Sequence, residues 1–180
     1  AKEALHEAAV LAAALEGEER NRHVIERFRK TPRDFVQDAI AGPPAQMLSG
    51  HAPGTLPEEF TGGLGKAGAA RLKEFVQEGG TLVALDSAAL FAIEELGLPV
   101  KNVAAGTDLY CPGALLNARV EGPSPLAHGL EAETPIWFES SPVFEAPAES
   151  VVLRYPPANV LASGFLQGDA ALHGRGALVD

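Results

Sequence analysis

Ala69, Leu72, Phe75 and Val76 recur on one face of a 3.6-residue period, which predicts a helix over residues 66–78 that Gly79-Gly80 stops. Residues 81–85, TLVAL, then form a short, mostly apolar run that reads as a buried strand. Asp86-Ser87 leads into a second periodic stretch over 88–96, where Leu90, Ile93 and Leu96, or Phe91 and Glu95, mark the two faces and Gly97 closes the helix. Helix, strand, tight turn and helix in succession make this αβα unit the strongest pattern in the chain.

Upstream, Leu5, Ala8, Leu11, Leu15 and then Val24, Ile25, Phe28 also follow helical spacing, with a break at Gly17 and an end at Thr31-Pro32. Residues 1–41 are therefore expected to be a helical N-terminal segment. Residues 42–56, rich in proline and glycine, read as a connection, and 57–180 as the main domain. Its second half offers strand candidates at 100–103, 114–120, 136–138, 151–155, 160–162 and 177–179, with one short helix around 169–172. An α/β open-sheet core with a strand-rich C-terminal extension fits this order better than regular βαβ alternation. The last strand candidate runs almost to the final residue, so the domain is expected to be incomplete at that end.

Charge narrows the partners. Acids outnumber bases 24 to 14, for a net charge of -10, which disfavours nucleic acid and anionic membrane surfaces, both of which reward clustered Lys and Arg. The basic excess between Arg20 and Arg33 alternates with Glu26 and reads as a solvated helix face. No apolar run approaches the roughly 20 residues of a membrane span. A single cysteine, Cys111, excludes a disulfide within the sequence and a multi-thiolate zinc site.

Candidate chemistry centres on the turn at residues 84–89. A strand that ends abruptly before a helix points its turn residue out of the carboxyl edge of the sheet, where hydrolases place a Ser or Cys nucleophile between glycines. Here the residues read A-L-D-S-A-A, so Asp86 or Ser87 as a helix N-cap is the plainer reading. Cys111 precedes a proline and a strand rather than opening a helix, which suits a buried structural cysteine. His128 and His173, each beside a glycine, are candidate bases for a hydrolase built on Ser87 or Cys111. His23 and Glu26 have H-x-x-E spacing, but inside an amphipathic helix a surface pair is the simpler account. Trp137, in P-I-W-F-E-S-S-P-V-F-E, is placed either on an edge strand or in the wall of a sugar or peptide pocket that also uses Asp86 and Ser87.

The stretch from Pro57 to Asn102, followed by Y-C-P-G-A-L-L, S-P-L-A-H-G-L and L-A-S-G-F-L-Q-G, resembles the glutamine-amidotransferase-like (class I) domain found C-terminal to the catalytic domain in certain bacterial zinc carboxypeptidases of the carboxypeptidase A type. The resemblance implies a three-layer αβα, flavodoxin-like open sheet in which the nucleophile cysteine would stand at the turn, matched here by Asp86 with Ser87 next to it. It implies a non-catalytic accessory domain whose partner is an upstream peptidase domain in the same chain. The zinc belongs to that domain and no cofactor to this one. It also implies export to the periplasm or the exterior, since the related carboxypeptidases are commonly exported.

Overall fold

The computed structural model describes residues 37–41, 44–54, 57 and 62–180, and within residues 37–41 only the backbone. The expected helices upstream of residue 37, with the basic stretch and the His23–Glu26 pair, lie outside the described residues. The chain divides between Leu98 and Pro99 into two compact units.

In the first unit, strand β1 (Gln37–Ala41) pairs in parallel with β2 (Thr81–Leu85), and the chain between them carries helices α1 (Pro44–Ser49) and α2 (Gly65–Gln77). Helix α3 (Ala88–Leu96) follows β2. The α2 periodicity is realised as Gly68, Ala69 and Leu72 in the core. Its end is closed by Gly79 N–H to the Val76 carbonyl at 3.0 Å and Gly80 N–H to the Phe75 carbonyl at 2.9 Å, which satisfies carbonyls that the helix itself leaves open. α3 ends at Gly97, whose φ of 69° suits a residue without Cβ. Met47, Leu64, Ala69, Leu72, Ala88 and Phe91 form one apolar cluster, against which Leu82 and Ala84 of β2 pack. Burial of a side chain such as Phe91 or Leu72 contributes about 1.5–3 kcal/mol.

Three expectations need correction here. Residues 37–41 are a strand, although they fall in the segment read as helical; QDAIA is too short and too polar at its start to show an alternating pattern. A helix occupies Pro44–Ser49 inside the segment read as a connection. Pro44 at its first position is suited to a helix start, where a missing N–H has no consequence. The run TLVAL is not buried on both sides: Val83 and Leu85 are 37% and 52% exposed, while the alternate residues Leu82 and Ala84 face the helices. An apolar residue on the open side of a strand is indistinguishable in sequence from one beneath a second layer.

The second unit is built on antiparallel pairing. Its strands are β3 (Lys101–Asn102), β4 (Ala114–Val120), β5 (Glu133–Phe138), β6 (Phe144–Glu145), β7 (Val151–Arg154), β8 (Leu161–Gly164) and β9 (Gly176–Val179). They follow the order β3-β6-β9-β7-β4-β5, with β8 also paired to β4. The protein thus combines helices, a parallel strand pair and an open antiparallel sheet. β4 is the spine: Ala114, Leu116 and Ala118 are buried and the intervening residues are not, the period-2 signature of a sheet with one covered face. β5 runs along one side of β4, and β7 and β8 lie end to end along the other. Between them the chain leaves the ladder at Tyr155-Pro156 and returns at Val160. The Val160 carbonyl accepts Asn117 N–H at 2.7 Å, and the Asn117 side-chain amide donates to the Asn159 carbonyl at 2.9 Å. The core beneath holds Cys111, Leu116, Phe138, Val143, Tyr155 and Leu172. The short helix expected around 169–172 is a 3-10 turn, Asp169–Ala171.

Candidate functional site

Asp86 stands where β2 ends, one residue before the Ser87 that opens α3, and its φ is 52°. Positive φ is uncommon for a residue with a side chain, though Asp tolerates it better than most. A strand followed by a positive-φ residue and then a helix is the backbone arrangement of a nucleophile elbow, which lifts the side chain out of the sheet edge. Asp86 is exposed accordingly. Neither of the two residues caps the helix as the sequence suggests. Ser87 makes no side-chain capping hydrogen bond, and the bonds that close the first turn are main-chain ones, Ala89 N–H to the Asp86 carbonyl at 3.0 Å and Leu90 N–H to the Ser87 carbonyl at 3.1 Å. The elbow positions a carboxylate that no described residue of its own unit engages.

The other candidates lie in the second unit and separate from one another. Cys111 is 1% exposed, and its thiol donates weakly to the Phe138 carbonyl at 3.6 Å, while its own carbonyl accepts Ser140 N–H at 3.0 Å. These bonds tie the start of β4 to the end of β5, as expected of a structural cysteine. His128 follows the 3-10 turn Pro125–Ala127 and is exposed. His173 meets the Asp169 carboxylate at 3.2 Å across one turn, at the surface. Within the first unit no described histidine comes within hydrogen-bond reach of Ser87, and within the second none comes within reach of Cys111, the geometry that nucleophile activation requires. Among the described residues, no group of three or more His, Cys, Asp and Glu side chains could hold a metal ion, and no helix is long and apolar enough to cross a membrane.

Trp137 sits on the open face of β5, 63% exposed. Its indole lies against Gly113, where an added Cβ would come within 3.1 Å of the ring, and the indole N–H donates to a Glu139 carboxylate oxygen at 3.3 Å. Across the ladder Trp137 pairs with Leu115 of β4, and Leu115 pairs with Ser163 of β8. Asn117 sends its N–H toward Val160, away from β5. The alternate pairs Leu115–Trp137 and Asn117–Pro135 are therefore non-hydrogen-bonded, the kind that brings side chains closest. Gly113, under the Trp137 ring, adjoins Gly164 at the end of β8, and the next residue, Phe165, meets the ring of Tyr110 edge-on at 6.1 Å. Leu115, Trp137, Leu161, Phe165 and Tyr110 are all exposed. Trp137 could be found from sequence. Tyr110 and Phe165 could not, because the Tyr110–Gln167 bridge that joins their segments spans residues distant along the chain.

A shallow cavity of about 420 Å3 opens elsewhere on the second unit, between residues 121–125 and 148–152, with Glu121, Glu149 and Asp180 among its lining. Glu121 is paired to Arg154 at 3.3 Å.

No family model, curated protein or solved structure matches the chain.

Proposed function

We propose that the chain is a non-catalytic accessory domain of the glutamine-amidotransferase-like class, flavodoxin-like and three-layered, attached to a zinc metallocarboxypeptidase that it positions, stabilises or helps to engage substrate. The observation that carries this reading is Asp86 at φ 52° between β2 and α3. The backbone has the form that presents a nucleophile, and the residue there is a carboxylate with no histidine beside it among the described residues of its own unit. The parallel β1–β2 pair joined through helices is consistent with one crossover of such a sheet. In this reading the zinc and the general-base glutamate belong to the upstream peptidase domain, which is the partner, and the whole protein is exported.

Two measurements test it. The purified chain, given glutamine, p-nitrophenyl acetate or hippuryl-phenylalanine, is expected to hydrolyse none of them faster than buffer; turnover abolished by Asp86→Ala or Ser87→Ala overturns the reading. The reading frame upstream is expected to encode H-x-x-E after a strand and a distant third histidine. A frame without them removes the parent enzyme.

A further inference from the structure

The open sheet face around Trp137 combines exposed rings with carboxylates that have no basic partner. All three arginines of residues 99–180 are already engaged: Arg119 with Glu133 at 3.6 Å, Arg154 with Glu121 at 3.3 Å, and Arg175 with Glu145. Two carboxylates near the rings are not. Glu139 holds the Trp137 indole, and exposed Asp108 stands two residues before Tyr110 in the chain, neither ion-paired among the described residues. A ring face beside an unpaired carboxylate favours a cation, through the ring quadrupole and the uncompensated charge together.

We propose that this face binds an extended peptide segment bearing lysine or arginine side chains. Three features select that occupant. The row from Trp137 across Leu115 to β8 crosses three strands spaced about 4.8 Å apart, and Gly113 under the Trp137 ring adjoins Gly164, next to Phe165 in the chain, so the surface is longer than one side chain. Tyr110 and Phe165 meet at 68°, which makes a corner for a side-chain head rather than a flat platform for a sugar ring. Binding runs over the face and not by strand addition at the β5 edge, because Pro135, in a non-hydrogen-bonded pair with Asn117, turns a nitrogen without hydrogen to that edge. The proposal concerns residues 99–180 alone and is independent of the reading of Asp86.

Trp137 is the only tryptophan in the chain, so its fluorescence reports on the face directly. The full chain is titrated with Ac-(Ala-Lys)4-NH2, Ac-(Ala-Gln)4-NH2 and cellohexaose. The lysine peptide is expected to give a saturable change in emission, weakened at least about threefold by Glu139→Gln and again when NaCl is raised from 50 to 500 mM. Asp108→Asn is expected to weaken it independently, with circular dichroism unchanged in both variants. Any of four results overturns the proposal: no saturable response to the lysine peptide, equal affinity for the glutamine peptide, a response to cellohexaose in its place, or a Trp137-dependent dimer in sedimentation equilibrium that the lysine peptide leaves intact.

Discussion

The ring of Tyr155 meets the ring of Phe138 edge-on, with centroids 6.3 Å apart and planes at 78°. Its hydroxyl has no hydrogen-bond partner among the described residues. Burial raises the phenol above its usual range, and Cys111 adds to the shift. The folded state therefore holds its proton where the unfolded chain releases it, near pH 10.0. Stability is full below that pH and declines as pH rises past it. Urea unfolding between pH 8 and 11.5 is expected to show a steeper decline for the native chain than for Tyr155→Phe. At pH 7 the variant is expected to lie within about 1 kcal/mol of the native chain, because no hydrogen bond is lost.

Asn102 works as a clamp. Its side-chain oxygen accepts Ala104 N–H at 3.0 Å and Val143 N–H at 3.1 Å, and Val143 is fully buried. Asn102→Ala leaves a buried donor unsatisfied and is expected to lower stability by about 1–3 kcal/mol in chemical denaturation.

At Asp86 the positive φ makes side-chain choice a matter of strain. Asp86→Gly is expected to leave stability unchanged or raise it by up to about 1 kcal/mol, whereas Asp86→Val lowers it by about 1–3 kcal/mol. A thermal melt of the two variants beside the native chain reads the ordering.

Gly168 has φ 70°, and a Cβ there would come within 2.6 Å of the Asp108 carbonyl oxygen. Main chain cannot move aside as a flexible side chain can. Gly168→Ala is expected to cost about 1–3 kcal/mol and to loosen the corner where Tyr110 meets Phe165, seen as faster hydrogen exchange at the Tyr110 and Gln167 amides.

Cys111 is expected to resist Ellman's reagent in the native chain and to react once urea unfolds it, since reagent access needs the β4–β5 junction to open.

How much of this was legible depends on the range of the interaction that forms each element. β2, α3 and β4 follow from local period and from Gly97, and their bounds agree with the pattern. β1 did not announce itself, because its strand character comes from pairing with Thr81–Leu85, some forty positions away. The short strands of the second half were mostly found. Their order was not, since β7 and β8 share one side of β4 across the excursion between Arg154 and Leu161 that no periodicity encodes. At the candidate sites, the turn at Asp86 was visible from a strand abutting a helix, but its φ was not. Asp86 and Ser87, read together with Trp137 as one pocket, belong to different units. The aromatic face is assembled by strand pairing, so only its tryptophan, in an aromatic-rich stretch, stood out in advance.

The break between β7 and β8 makes the seam along β4 a splice. Pro157, Ala158 and Asn159 loop out exposed, while Tyr155, Pro156 and Val160 on either side are buried. A protease that severed the Ala158–Asn159 bond would leave both new ends laced to the same strand, one at Arg119–Val120 and the other at Ala114–Leu116. The clipped molecule would migrate as two pieces in denaturant and as one particle in buffer. The spine, and not the continuity of the chain, holds this half of the protein together.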